Sequence, residues 1–146
     1  MYRILLATDG SEQCKKVVEE ALLIAEALKA EVTVLTVVEE YVFSPRVSGH
    51  FTDDSWDLIN KNLREEAEEV VEKAAKPFKD KGLTTKTEIV IGHKSPADAI
   101  CEIAGKGSFN LVIMGNRGLR GLKEAFLGTV SNKVAHCVGN NVLIVK

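Results

Sequence analysis

Five short apolar runs alternate along the chain with longer segments of helical periodicity, and this alternation limits the folds open to it. The runs are rich in β-branched residues and most are apolar on both faces, as buried strands of a parallel sheet are. They lie at residues 3–8, 32–38, 85–91, 110–114 and 142–145. Strands joined by crossover helices pair in parallel through right-handed connections. We therefore expect a doubly wound α/β domain with a five-stranded parallel sheet and helices on both faces.

Four helices are expected between these strands. They start at the N-cap residue Ser11, at about Ser55, at Pro96 and at about residue 130. The first buries a stripe that runs to Leu28, and Pro77 or Gly82 ends or kinks the second. The last spans about 130–138, and its inward residues are expected to be Val130, Val134, Cys137 and Val138.

Length and composition limit the class of protein. With 146 residues the chain is expected to form one domain over residues 1–146. No apolar run reaches the roughly 18–20 residues of a membrane span, and the first strand begins too early to leave room for a secretory signal. We therefore expect a cytoplasmic protein without a membrane segment. The formal net charge of −2 and the lack of a long basic stripe argue against nucleic acid as a partner.

The cysteines suggest a reducing compartment. Cys14, Cys101 and Cys137 are odd in number, far apart in sequence and without the spacing of a metal site. Dispersed cysteines of this kind are usually small buried hydrophobes in cytosolic proteins. We expect all three to be buried thiols.

Four of the chain's eleven glycines follow the fourth strand and indicate a binding loop: Gly115, Gly118, Gly121 and Gly128. In an open α/β sheet the ligand lies beyond the carboxyl ends of the strands, where the strand order reverses. Glycine there allows positive φ and close approach of the backbone to a ligand. Gly128 precedes a helix start that carries Thr129 and Ser131, where unpaired N–H groups, hydroxyls and the positive helix end meet. This combination favours a bound phosphate, although both hydroxyls are also what an ordinary N-cap requires.

Charged residues near this loop fit an anionic ligand. Arg117, Arg120 and Lys123 make the loop basic. They would attract a polyphosphate, although basic loop residues are also commonly solvated. Asp9 follows the first strand, on the other side of the expected crevice. It either binds a ribose, an amine or a phosphate-bound metal, or it arranges the tight turn at this point.

Motifs of other nucleotide-binding folds and of catalysis are missing from the sequence. It contains neither GxGxxG after the first strand nor GxxxxGK[ST], which argues against a dinucleotide-binding fold and excludes a P-loop NTPase. A receiver domain would need an aspartate at the end of the third strand, where residues 90–92 read Val-Ile-Gly. His50, His93 and His136 lie on separate segments, and Ser131 has no base near it in sequence. No catalytic residue is assigned.

One family resembles this chain over nearly its whole length. The spacing G-x2-G-x9-G-[ST], filled by Gly115, Gly118, Gly128 and Thr129, and the segment ILLATDGSE resemble the universal stress protein family. The segments VLTVV, GHKSPADAI, NLVIMGNRG and VLIVK extend the resemblance. It implies a flavodoxin-like sheet of order 3-2-1-4-5 with a site between strands 1 and 4. Because members with the complete glycine motif typically bind ATP, it also implies an ATP-binding stress-response protein.

The resemblance implies particular site residues. The adenine and ribose end would be lined by Ala7, Thr8, Asp9 and Val37, and the start of the loop by Met114 and Gly115. The phosphates would be held by Gly118, Gly128, Thr129, Val130 and Ser131, with Asn116 and Arg117 as loop contacts and Mg²⁺ accompanying the ATP.

The resemblance further implies a homodimer formed through the last strand, at Val142, Leu143, Ile144 and Val145. An apolar edge strand of this kind is otherwise an aggregation hazard. Three departures from the family pattern stand out: Asn141 replaces a proline before the last strand, Asn110 replaces an acidic residue before the fourth, and the GHKSP turn is about two residues longer than usual.

Three functions remain open at this point. In the first, ATP occupancy biases the long connection at residues 39–55, or the dimer surface, toward a partner. Loops of that length in compact domains are usually functional or mobile. The second is a slow ATPase or phosphoryl-transfer enzyme that uses a metal with Ser131 or Thr129. The third is a nucleotide-free dimeric interaction module.

Overall fold

The structure of the chain, a computed structural model, describes residues 1–40, 53–92, 94–116 and 128–146. Strands and helices alternate through these residues. Their order is β1 (Arg3–Ala7), α1 (Cys14–Leu28), β2 (Glu31–Glu39), α2 (Asp53–Asp80), β3 (Thr85–Gly92), α3 (Pro96–Lys106), β4 (Leu111–Gly115), α4 (Thr129–Cys137) and β5 (Asn141–Val145). Most of the expected connection at 39–55 lies outside the described residues.

The strands form one parallel five-stranded sheet in the order β3-β2-β1-β4-β5, which confirms the expected topology. The central strand β1 pairs with β2 on one side and β4 on the other; Leu5, for example, lies between Thr33 and Val112. Asn110, a departure from the family pattern, lies at the amino end of β4. Its side chain accepts a hydrogen bond from the Arg3 N–H at 2.8 Å, at the end of the sheet away from the predicted ligand.

Alternate residues of the central strands build two apolar layers, one on each face of the sheet. Ile4 and Leu6 pack with α1 and α2, where Phe78 is fully buried. Leu5 and Ala7 face the opposite layer, which α3 and α4 cover. Side chains of a strand alternate between faces, so strands that are apolar at every position are covered by helices on both sides. This confirms the doubly wound arrangement.

The helix boundaries differ from expectation at two points. Ser11 is not the N-cap of α1: the helix begins at Cys14, and Gln13 occupies the cap position without a side-chain hydrogen bond. Leu28 is 48% exposed and does not belong to the buried stripe. In α2 the chain continues through Pro77 to Asp80. A stop follows at Gly82, whose φ of 71° is a left-handed conformation that glycine adopts without strain.

The expectation of three buried thiols is wrong for two of the cysteines. Cys101 of α3 and Cys137 of α4 form a disulfide, with their Cα atoms 6.1 Å apart. The two helices pack side by side on one face of the sheet, which brings together residues separated by 36 positions. Cys14 is a buried free thiol, as expected.

None of the helices in the described part of the chain is both long and apolar enough to cross a bilayer.

Candidate functional site

The topological switch point of the sheet lies at the carboxyl ends of β1 and β4. The chain leaves β1 toward α1 on one face, whereas α4 lies on the opposite face. Connections that diverge in this way open a crevice between the two strand ends, which is where open α/β sheets bind ligands. Thr8 and Asp9 emerge from β1 into this region and Asn116 emerges from β4. The predicted residues on both sides are therefore at the same edge of the sheet.

Hydrogen bonds fix the exit from β1. The N–H of Thr8 donates to the Leu35 carbonyl at 2.9 Å, and the Thr36 hydroxyl donates to the Thr8 carbonyl at 2.7 Å. The chain then turns at Gly10, whose φ is 76°. A Cβ at Gly10 would lie 2.6 Å from a methyl group of Val70 in α2. Conformation and space therefore both require glycine at this turn.

Asp9 is half-buried within the turn and takes part in its hydrogen bonding. Its Oδ1 accepts from the Ser11 N–H at 3.0 Å and from the Cys14 thiol at 3.1 Å. The bond to the N–H two residues ahead is an Asx turn. The interpretation of Asp9 as a turn-forming aspartate is therefore correct, and the same contacts tie its carboxylate to the start of α1.

The start of α4 lies directly against the end of β4. The Gly128 N–H donates to the Asn116 carbonyl at 3.0 Å, and the Ser131 hydroxyl lies 3.2 Å from the same carbonyl and 3.0 Å from that of Gly128. A Cβ on Gly128 would lie 2.7 Å from the Asn116 oxygen. Ser131 is 2% exposed, so its hydroxyl acts as an internal clamp between the loop exit and the helix.

The first turn of α4 has backbone N–H donors that lack an acceptor in the part of the chain that the structure describes. Asn132 N–H donates to the Gly128 carbonyl at 2.9 Å, which is the first bond of the helix. The N–H groups of Thr129, Val130 and Ser131 have no acceptor among the described residues, and no side chain caps the helix. The turn also contains no acidic residue that would neutralise the positive end of the helix dipole. This is the local arrangement that binds anions.

Asn116 contributes an unusual acceptor at the same place. The residue is 9% exposed, and its Oδ1 is buried without a hydrogen-bond partner among the described residues. An unsatisfied buried polar atom costs about 1–3 kcal/mol. Because buried acceptors are seldom left unpaired in native proteins, this atom requires a donor that the described residues do not supply.

Four apolar residues predicted for different parts of the site lie in one layer. Ala7, Val37, Met114 and Val130 all belong to the apolar cluster beneath α3 and α4. Gly115 is the last residue of β4 and pairs with Val145 of β5; it is not among the glycines with positive φ, so the expected left-handed turn does not begin there. Arg117 and Gly118, like Arg120 and Lys123, lie outside the described residues. Those that are described contain no cluster of three or more His, Cys, Asp or Glu side chains able to hold a metal ion.

Contacts between α3 and α4, which sequence reasoning missed, fix the far side of the site. Lys133 of α4 pairs with Asp98 of α3 at 2.7 Å, one helical turn from the Cys101–Cys137 disulfide. This hydrogen bond from Lys133, with another from Ser95, lowers the pKa of Asp98 below its usual value. Spacing along the sequence did not indicate that Lys133 pairs with a residue of α3. The two links hold the helix that presents the free N–H groups.

Comparisons with known proteins agree with this geometry. A family model described as the universal stress protein family matches residues 1–146. Universal stress protein MJ0531 of Methanocaldococcus jannaschii is 37% identical over 99% of this chain and 81% of its own length. The solved structure of MJ0577 from the same organism has a TM-score of 0.81 and 29% identity, covering 99% of this chain and 95% of that one. A universal stress protein solved in complex with cAMP has a TM-score of 0.61 and 25% identity, covering 99% and 96%.

Proposed function

This chain belongs to the universal stress protein family, and we propose that it binds an adenine nucleotide, ATP, between β1 and β4. One observation carries the proposal: the N–H groups of Thr129, Val130 and Ser131 lack protein acceptors in the described structure. The unsatisfied Oδ1 of Asn116 at the same junction supports it. A nucleotide supplies an anion for these backbone N–H groups and a hydrogen-bond donor for Asn116 Oδ1.

In this proposal the phosphates lie at the start of α4. Charge-assisted hydrogen bonds from backbone N–H groups to phosphate oxygens are about twice as strong as neutral ones. The positive end of the helix dipole adds to the attraction. Gly128 allows the helix to begin next to Asn116, and Arg117 and Gly118 complete the phosphate contacts from the loop.

The nucleoside end lies toward β1 and β2. Ala7, Val37 and Met114 supply an apolar wall for the base. Asp9 accepts hydrogen bonds from the ribose hydroxyls or the base amine, and Asn116 Oδ1 accepts one from the sugar. The cAMP complex of a relative supports this ligand class, because cAMP contains adenine, ribose and a phosphate.

Mg²⁺ is proposed as a companion of the ATP rather than as an ion held by a protein cage. Mg²⁺ usually keeps several waters and binds through substrate phosphates with one or two carboxylates. The described residues contain no group of three ligating side chains, and Asp9 is the carboxylate assigned to the site. The ion would neutralise phosphate charge there.

We assign the protein a regulatory role in which nucleotide occupancy is sensed at residues 39–55 or at a dimer surface.

The dimer is proposed to form along β5, because the two edges of the sheet differ. On β3 the positions 86–88 are exposed and carry Lys86 and Glu88, charges of the kind that discourage edge pairing. Residues Val142–Val145 of β5 are apolar and half-buried. The Val145 carbonyl points toward β4, because it accepts a hydrogen bond from the Asn116 N–H. Backbone groups alternate in direction along a strand, so the N–H and carbonyl of Ile144 point away from β4, toward the free edge of the sheet.

Light scattering should give a dimer for the natural chain and a monomer for Ile144→Pro, which lacks this N–H. A variant that is folded and still dimeric would contradict this interface.

Substitutions at Thr129 test the phosphate site. Thr129 is the first residue of α4, a position where helices accept proline, and Gly128 before it has the extended ψ of 155° that a following proline requires. Thr129→Pro therefore removes one N–H donor and keeps the helix. We expect it to weaken ATP binding about tenfold or more, the effect of losing a hydrogen bond to a charged group.

Two controls make the result specific. Thr129→Ala keeps the N–H and loses the side-chain hydroxyl and one methyl group, so titration calorimetry should find a smaller loss of affinity. Thermal unfolding should show that both variants are folded. A Thr129→Pro variant that binds ATP as tightly as the natural chain, or a natural chain that does not bind ATP at millimolar concentration, would overturn the proposed function.

A further inference from the structure

Cys14 is a buried thiol in polar surroundings. It is the first residue of α1, its side chain is 8% exposed, and it is not bonded to another cysteine. Neither of the two apolar clusters among the described residues includes it. Its sulfur instead lies within hydrogen-bonding distance of Asp9 and Ser11, at 3.1 Å and 3.4 Å. The buried thiol therefore has two polar partners.

The thiol belongs to a directed chain of hydrogen bonds. A thiol has a single hydrogen, and that of Cys14 is donated to Asp9 Oδ1. The contact between Ser11 and Cys14 must then have the Ser11 hydroxyl as its donor. The Ser11 N–H donates to the same Oδ1 at 3.0 Å. Donors that polarise one another in this way strengthen the final bond, which ends on the Asp9 carboxylate.

These contacts restrict the direction of the carboxylate. The Ser11 N–H alone fixes one donor direction at Oδ1, as in any Asx turn. The thiol adds a second direction from the first turn of α1. Two donors on one oxygen restrict rotation of the Asp9 side chain about its Cα–Cβ and Cβ–Cγ bonds. A ligand that binds Asp9 then does not have to order it, and affinity rises because this entropy has already been lost.

We infer that Cys14 is a positioning residue for the nucleotide site, acting through its hydrogen bond to Asp9. The inference rests on the proposed function, because it assumes that Asp9 contacts the nucleoside end of the ligand. It adds a residue from α1 that does not itself touch the nucleotide. Its role requires a hydrogen-bond donor of small size, so serine should substitute for cysteine and alanine should not.

Calorimetric titration of the full chain with MgATP tests the inference. Cys14→Ala should raise Kd about threefold to tenfold, the effect of losing one hydrogen bond. Cys14→Ser should restore Kd to within about twofold of the natural value, whereas Cys14→Val, which fills the space with a larger apolar side chain and lacks the donor, should not restore it. Val18→Ala, one turn along the same helix in the apolar layer, should lower the melting temperature without changing Kd.

A double variant separates positioning from a general loss of structure. In the Asp9→Ala background, Cys14→Ala should cause no further increase in Kd, because the carboxylate through which it acts is absent. If the natural chain binds MgATP and Cys14→Ala binds equally well, or if the two substitutions weaken binding independently, the inference is wrong and the proposed function stands. If the natural chain does not bind MgATP, both are wrong.

Discussion

The backbone N–H of Gly128 donates to the carbonyl oxygen of Asn116 over 3.0 Å, so α4 begins in direct contact with the end of β4. The contact leaves no room for a side chain, since a Cβ on Gly128 would lie 2.7 Å from that oxygen. The atom in the way belongs to the backbone and cannot rotate aside. The direction in which α4 presents its free N–H groups therefore depends on glycine at this position.

Gly128→Ala should shift the start of α4 and weaken both the fold and the site. We expect a loss of about 1–3 kcal/mol in the free energy of unfolding, typical of overpacking, together with weaker ATP binding. Urea unfolding and calorimetry measure the two effects. Gly139→Ala is the matched control, because nothing lies within 4 Å of its added Cβ. Equal behaviour of the two variants would contradict the close approach.

The Ser131 hydroxyl is predicted to serve stability. It is buried and bridges the carbonyls of Asn116 and Gly128. Ser131→Ala should therefore reduce the free energy of unfolding by about 1–2 kcal/mol, the range for losing buried hydrogen bonds. Ser108→Ala, an exposed serine, should change it by less than about 0.5 kcal/mol. A Ser131→Ala variant that unfolds like the natural chain would show that the clamp is unimportant.

The Cys101–Cys137 disulfide is predicted to stabilise the packing of α3 on α4. Protein unfolded without reductant should expose one free thiol, that of Cys14, by mass analysis after alkylation. Reduction should lower the free energy of unfolding by about 2–4 kcal/mol, because the unfolded chain loses a constraint. The Cys101→Ser variant should be insensitive to reductant. Three alkylated cysteines in the unreduced natural protein would contradict the crosslink.

The carboxylate of Glu102, on α3, should become protonated only at unusually low pH. Lys106 and Lys94 both bond to Glu102 and lower its pKa to about 2. Because folding lowers this pKa, the ionised Glu102 contributes fully to the free energy of unfolding above the ordinary glutamate pKa of about 4.3. This contribution is lost as the pH falls toward 2. Carbon-detected NMR should give a Glu102 midpoint near 2. A midpoint at the ordinary value would show that the two lysines do not hold it in solution.

Most of the sheet could be predicted from the sequence because its central strands β1, β2 and β4 are buried on both faces. Runs rich in apolar and β-branched residues located every strand to within one or two residues, and the order followed from the family resemblance. The start of α1 could not be predicted in this way. Ser11 has the chemistry of an N-cap, but its N–H bonds to Asp9 and its hydroxyl to Cys14, so the turn continues to Cys14 before the helix begins.

The site could be predicted in position but only partly in mechanism. The glycine spacing located the junction of β4 and α4, yet Gly128 also has to accommodate a carbonyl of the protein itself, and Ser131 bonds inward. The disulfide and the Lys133–Asp98 pair join residues far apart in sequence. Such contacts depend on how two helices are oriented on the sheet, which spacing along one chain does not encode.

Amide NMR of the full chain, titrated with MgATP and in parallel with adenosine, would show whether phosphates bind at the start of α4. We predict that the N–H resonances of Thr129, Val130 and Ser131 shift strongly with MgATP and little with adenosine, because only the nucleotide brings phosphates there. If these resonances remain unchanged while MgATP saturates the protein, the phosphates bind elsewhere and the proposed site is wrong.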